Sequence, residues 1–168
     1  GGIYGSNYFR EVWEYDPTDV TPWTQKANIP NTFFARSGST GFSIGTKGYI
    51  ACGNYKTDGS PFTLYSKTLL EYNPSTDSWT QKTNFPGPGM YSAASFVIGN
   101  NGYVGGGNTG PGYSKFFYKY SQSNNSWVKI AEMPEIESNP IGFAFNSKGY
   151  VSGFIRLVKY NPWVCYGS

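Results

Sequence analysis

Of the residue types that carry most enzyme chemistry, this chain of 168 residues has no histidine, two cysteines and ten acids. Without histidine neither a Ser-His-Asp nor a Cys-His arrangement can form, and no imidazole is available to a metal. Cys52 and Cys165 fit neither a metal-knuckle spacing nor a disulfide framework; they read as two separate buried side chains, with a single bridge as the alternative. Carboxylates remain. Glu11 with Glu14, Asp16 with Asp19, and Glu132, Glu135 and Glu137 are close enough in sequence for acid and base work. Glu14 alternates with apolar neighbours and returns as Glu71, the pattern of a solvated strand face. No residue matches a catalytic motif, so no catalytic residue, metal or cofactor is expected.

Bulk properties narrow the choice of partner. The net charge is +3 and the charges are interspersed without runs, so no basic stripe exists to track phosphates and nucleic acid is not expected as a partner. No apolar run approaches the roughly 18 residues of a membrane span. The opening GGIYGSNYFR has neither the charged nor the apolar portion of a secretory signal. With 19% aromatic residues, 22 Gly and 11 Pro, the composition favours short strands joined by tight turns.

The elements that must position any site are written as a repeat. VWEYDPTDVTPWTQKANIP (12–30) returns as LLEYNPSTDSWTQKTNFP (69–86), more loosely as FFYKYSQSNNSWVKIAEMP (116–134), and begins again as LVKYNPW (157–163). Tyr15, Tyr72, Tyr120 and Tyr160 are followed by Trp23, Trp79, Trp127 and Trp163; Pro30, Pro86 and Pro134 follow the first three tryptophans. Between copies, Gly48-Tyr49, Gly102-Tyr103 and Gly149-Tyr150 lead into small residues. The turns GTKG, GNNG and NSKG supply residues that tolerate positive φ, as two-residue hairpins require. Each unit therefore predicts four short antiparallel strands, and a repeated four-stranded sheet of about 50 residues is a propeller blade.

The order of apolar strand, Gly-Tyr with small residues, Tyr-Asp/Asn-Pro, Trp and Pro resembles the kelch repeat over essentially the whole chain. The resemblance implies an all-β fold, a kelch-type β-propeller of four-stranded antiparallel blades: a half-blade at 1–30, blades at 31–86 and 87–134, and a blade at 135–168 with its last strand curtailed. Two features depart from the family. Gly105-Gly106 is matched by Ala51-Cys52 and Ser152-Gly153, and the arginine expected before the first strand appears only as Arg36, with Met90 and Glu137 aligned to it. Fourteen strands are too few to close a ring, so the chain is expected to be a partial propeller or a half-ring. Further blades would come from the rest of a longer chain or from a second copy, whose combined 28 strands would fill seven blades. The copper chemistry of galactose oxidase, which shares this type of propeller, needs histidines the chain lacks.

Since the repeated residues read as scaffold, function is expected where the copies differ. Length varies most between the second and third strands, and in an up-and-down blade that loop shares a face with the links between blades. The candidate binding face comprises Tyr55, Lys56, Asp58, Phe62 and Tyr65 in the long loop and Tyr113 in the shorter one. Phe33, Phe34, Arg36, Met90 and Tyr91 join it from the links. The expected function is non-enzymatic binding of a protein partner or a glycan. The low charge and richness in Tyr, Asn, Ser and Thr resemble bacterial surface-type kelch proteins, so an extracellular or cell-surface location is expected. The alternative is a carbohydrate-active enzyme resembling sialic acid epimerases, with Glu135 and Glu137 at the pore mouth.

Overall fold

A computed structural model describes residues 2–156 apart from Ser6, Asp58, Ile136 and Phe154. The described residues form eighteen short strands and no helix. They are β1 (Ile3–Tyr4), β2 (Asn7–Tyr8), β3 (Val12–Tyr15), β4 (Trp23–Lys26), β5 (Thr40–Ile44), β6 (Lys47–Ala51), β7 (Asn54–Tyr55), β8 (Leu64–Tyr65) and β9 (Leu69–Asn73). They continue with β10 (Ser78–Lys82), β11 (Ala94–Ile98), β12 (Asn101–Gly105), β13 (Phe117–Ser121), β14 (Ser126–Lys129), β15 (Glu137–Ser138), β16 (Ile141–Phe145), β17 (Lys148–Ser152) and β18 (Ile155–Arg156).

Two complete four-stranded antiparallel sheets result, β5-β6-β9-β10 and β11-β12-β13-β14, flanked by the strand pairs β3-β4 and β16-β17. Each is an up-and-down blade or half of one; the third and fourth strands expected to follow β17, from Leu157 onward, lie outside the described residues. The turns joining first to second strands contain two residues. Gly45 and Gly99 lead two of them at φ 55° and 57°, and Asn146-Ser147 forms the third at 49° and 59°, which suits the twist of tight hairpins. First strands lie side by side: β11 packs against both β5 and β16.

Blades are joined by one contact set written once per repeat. Trp79 Nε1 donates to the carbonyl of Ala27 in the preceding unit at 2.8 Å, and the Ala27 N–H donates to Asp77 Oδ1 at 2.8 Å. One blade later, Trp127 Nε1 donates to Thr83 O at 2.8 Å and Thr83 N–H donates to Asn125 Oδ1 at 3.0 Å. Asp77 and Asn125 sit at φ 45° and 47°, a region Asp and Asn tolerate better than other side chains. They also accept the hydroxyls of Tyr72 (2.6 Å) and Tyr120 (3.0 Å), whose rings lie 5.0 Å from those of Trp79 and Trp127. The turn residue, itself bonded by the motif tyrosine, and the tryptophan thus hold the N–H and the carbonyl of one residue of the neighbouring blade.

Glycine sets the other contact. Phe42 stacks across strands on Tyr49, Phe96 on Tyr103 and Phe143 on Tyr150, with ring centroids 5.1, 5.0 and 5.2 Å apart. A Cβ on Gly102 would come within 2.4 Å of the Phe42 ring, and one on Gly149 within 2.2 Å of Phe96. Only glycine lets each ring settle on the next blade. The core between blades is completed by Leu69, Val104, Tyr120, Phe85 and Met90, all buried. Glu14 and Glu71 are not simply solvated: they pair across strands with Lys26 and Lys82 at 3.6 Å, and Glu71 also accepts the Tyr49 hydroxyl at 2.5 Å.

Two outcomes follow for stability. Asp77→Ala leaves the Ala27 N–H and the Tyr72 hydroxyl without their acceptor and is expected to lower the urea midpoint, whereas Asp77→Asn, which copies the next blade, lowers it far less. Burial, reinforced by hydrogen bonding to Asp77, pushes the Tyr72 phenol up to about 12; burial does the same for Tyr120 and raises Tyr49 further, there aided by Glu71. Unfolded tyrosines ionise near pH 10. Their contribution is therefore intact below about pH 10 and lost as pH rises through the folded values, so urea midpoints are expected to fall on the alkaline side of pH 10.

Candidate functional site

The link before each first strand and the loop after each second strand do share a face, because their backbones pair. Ser37 bridges Asn54, Tyr91 bridges Asn108, and β15 pairs with β18, at equivalent places in three units. In the first complete blade the long loop continues as its own hairpin, β7-β8. In the first half-blade the hairpin β1-β2 occupies the same position.

Between these hairpins and the link at 30–37 lie two adjoining clefts. The larger, of about 620 Å³, is lined by Asn7, Tyr8 and Arg10 from the first hairpin, Asn31, Phe34 and Ala35 from the link, and Lys56, Thr57, Gly59 and Ser60 from the second. The smaller, of about 350 Å³, lies on the other side of Phe34 and is lined by Thr32, Phe33, Arg36, Tyr55, Tyr65, Ser66, Lys67, Thr68 and Asn84. Phe34 stacks on Tyr55 with centroids 4.5 Å apart, and Tyr65 on Tyr91 at 5.7 Å, both nearly parallel. Two flat aromatic pairs therefore stand on this face, with Tyr55 and Tyr65 held by β7 and β8 and Tyr91 by its bridge to Asn108.

The cationic residues differ in role. Arg10 donates to the carbonyls of Pro30 (3.0 Å) and Phe33, pinning the link turn. Arg36 is only 3% exposed and donates to Phe34 O and Cys52 O (3.2 Å each), to Ser66 Oγ (2.8 Å) and to Thr68 Oγ1. Every one of these acceptors is neutral. Burial pulls the Arg36 pKa down from its usual value, as expected for a charge withdrawn from water. Lys56 and Lys67 are exposed at the cleft mouths. Both clefts thus present positive charge beside aromatic rings and hydrogen-bonding Thr, Ser and Asn.

The residues expected on the binding face separate into groups. Phe33, Phe34, Tyr55, Lys56 and Tyr65 line the clefts, and Tyr91 backs Tyr65. Tyr113 pairs with Asn108 in the neighbouring loop, and Phe62 is exposed at 72% but lines neither cleft. Met90 is buried in the core, and Arg36 lies beneath the surface as a strut with one side toward the smaller cleft. Asp58 lies outside the described residues, as does Cys165. Cys52 is fully buried and stands at φ 63° where the next blade has Gly106 at 68°. Sequence reading missed Arg10, Lys67 and Asn84. A signal existed: Arg10, Lys67 and Lys115 each stand five residues before the motif tyrosine. Their carbonyls accept the N–H of Ile29, Phe85 and Met133.

Most carboxylates proposed for acid and base work hold structure instead. Asp16 and Asp19 accept the backbone N–H of Thr18 and Thr21 at 2.8 and 3.0 Å. Glu132 pairs with Lys115 at 2.9 Å and Lys129 at 3.2 Å, contacts that lower its pKa. Glu135 is exposed in the link between the third and fourth units, and Glu137 begins β15. That link corresponds to the one beside the clefts.

Comparison with known proteins places this geometry. No family model matches the chain. Over 111 residues, 62% of this chain and 30% of the relative, it is 32% identical to N-acetylneuraminate epimerase of Escherichia coli O9:H4 (strain HS). The solved structure of YjhT, a kelch-type propeller, matches with a TM-score of 0.74 and 20% identity, covering 84% of this chain and 51% of that one. The fold is a kelch-type β-propeller. The chain spans about half the length of the solved relative and less than a third of the curated one. The expectation of a non-enzymatic scaffold is corrected here: the curated relative bears an enzyme name. What misled the reading was the missing histidine, which excludes triads and imidazole metal sites but not chemistry carried by carboxylates, tyrosines or lysines.

Arg36→Ala is expected to cost about 1–3 kcal/mol or more in urea unfolding, since Ser66, Thr68 and the Cys52 carbonyl lose their donor, whereas Tyr55→Ala costs less. Burial pushes the Cys52 thiol up to about 12, so in a Cys165→Ser background Ellman's reagent at pH 8 is expected to find no thiol until the protein is unfolded.

Proposed function

We propose that this chain contributes the substrate-binding face of a sugar epimerase whose substrate is a carboxylated amino sugar of the N-acetylneuraminate type. The observation that carries the proposal is the pair of adjoining clefts in which aromatic pairs and cations lie side by side. The likeness to a curated N-acetylneuraminate epimerase supports the reaction class. Flat rings such as the Phe34-Tyr55 and Tyr65-Tyr91 pairs suit the C–H face of a pyranose, while Asn, Ser and Thr suit its hydroxyls. Arg10, Lys56 and Lys67 would draw the sugar carboxylate to the cleft mouths. The bonds that Arg36 makes leave its charge uncompensated, so an anion reaching the floor of the smaller cleft would be favoured there. Glu135 and Glu137, on a link of the same face, are the candidate acid and base.

Titration of the chain with N-acetylneuraminate, followed by protein NMR, tests the reading. Binding is expected, weaker at high salt because a charge contact contributes, and weaker for neutral N-acetylmannosamine. Lys67→Ala and Tyr65→Ala should each weaken it roughly 5-fold or more without lowering the thermal midpoint appreciably. Glu135→Gln should spare binding and reduce interconversion of the sugar's epimers. Equal affinity for the neutral and acidic sugars, or no binding of either, would remove the proposal.

A further inference from the structure

One position in the blade repeat changes its charge from copy to copy. The carbonyls of Arg10, Lys67 and Lys115 accept the N–H of Ile29, Phe85 and Met133. The residues just before those three, Asn28, Asn84 and Glu132, are thereby brought next to the backbone of the basic residue in their own unit. A second position varies with the first, since Gln25, Gln81 and Lys129 stand three residues earlier. Gln25 Nε2 donates to Asn28 Oδ1 at 3.5 Å and Gln81 Nε2 to Asn84 Oδ1 at 2.9 Å, whereas Lys129 Nζ pairs with Glu132 Oε1 at 3.2 Å. The same side-chain pair is thus two neutral amides in two units and an ion pair in the third.

That exchange decides the fate of the neighbouring cation. Glu132 takes Lys115 on its Oε2 at 2.9 Å, and Lys129 also lies over the Phe116 ring, 3.8 Å from its centroid. Cations, carboxylate and ring of that unit therefore satisfy one another. Among the described residues Lys67 forms no ion pair, and its neighbour Asn84, with its oxygen engaged by Gln81, has amide hydrogens left to donate. Both line the smaller cleft with Arg36, which donates through Nε and Nη1 to neutral groups and through Nη2 to none among the described residues. No aspartate or glutamate is among the described residues lining this cleft.

We propose that Asn84 is the residue that determines the charge selectivity of the smaller cleft: standing where the next blade has Glu132, it leaves Lys67 and Arg36 to receive a carboxylate carried on a flat or ring-shaped body that lies against Tyr65. A glutamate at this position would neutralise the Lys67 ammonium and repel the incoming anion, as Glu132 does for an anion approaching Lys115. The inference deepens the sugar-acid reading above and rests on it for the identity of the ligand. The preference for a carboxylate rests on the charges themselves, so a carboxylate that is not a sugar can test it.

Benzoate and benzamide, one shape with and without the charge, are the probes. Titrated into the chain and followed at the backbone amides of Ser66, Lys67 and Thr68 by NMR, benzoate is expected to bind roughly 5-fold or more tightly than benzamide. Asn84→Glu should bring the two affinities to within about 2-fold of each other with the thermal midpoint unchanged, whereas Asn84→Gln, as long as glutamate but neutral, should keep the preference. A parent chain that binds benzoate no better than benzamide overturns the inference. So does a preference that survives Asn84→Glu, or one that Asn84→Gln removes equally, which would make bulk and not charge the cause. If benzoate behaves as expected and N-acetylneuraminate does not bind, the sugar-acid reading falls while the selectivity set by Asn84 stands.

Discussion

The main-chain groups of Ala27 and Thr83 are the points on which the rest of the structure depends. Each gives both its N–H and its carbonyl to the next blade, to the Asp77-Trp79 and Asn125-Trp127 pairs. These residues end fourth strands, so their polar groups have no fifth strand to join and would otherwise face water at the blade boundary. Answering them from the neighbouring blade fixes how two sheets sit, and the tyrosine bonded to the same turn residue carries that placement back into the third strand. Glycine then sets the distance, by letting Phe42 and Phe96 rest on the backbone of the blade that follows.

A fold held this way spends its polar side chains on its own backbone. Asp16, Asp19, Asp77, Glu14, Glu71 and Glu132 all accept bonds or ion pairs that shape turns and strand pairs. Cations on the loop face are used differently. Arg10 and Arg36 bind neutral carbonyls and hydroxyls, which orders the link without cancelling its charge. The face therefore carries cations within a hydrogen-bonded backbone, and Tyr55 and Tyr65 of its aromatic pairs stand on the short strands β7 and β8. A flexible loop of the same composition would have to be ordered on binding any ligand, at an entropic cost.

The repeat also sets which side chains find a partner in the next blade. An interior blade meets a neighbour on each side, so its phenylalanine, glycine and tryptophan all find partners. The strand pairs β3-β4 and β16-β17 display the same residue types with one neighbour each among the described residues, and Trp23 is exposed at 61% where Trp79 and Trp127 bond to the preceding blade. Trp13, Tyr15, Trp23, Phe143 and Tyr150 are exposed among the described residues, while their counterparts in the complete blades meet a neighbouring sheet.

By itself the sequence determined the blade strands within the described residues, their order and their hairpin turns, but not the short hairpins β1-β2 and β7-β8 or the pairing of β15 with β18, because alternation, Gly-Tyr pairs and Asn or Gly at positive φ are local properties read from spacing alone. It also determined that loops of unequal length share a face with the blade links, since strand direction alternates. Tertiary structure alone decided which loop residues form a site. Arg36 and Phe34 are two residues apart in one link, yet one is a buried strut and the other a cleft wall, because their side chains leave the backbone toward different neighbours. Met90 aligns with Arg36 and lies wholly in the core, while Arg10, far away in sequence, reaches the turn at Pro30. Those outcomes depend on how blades stack, which is set by contacts between residues some fifty positions apart that no local pattern records.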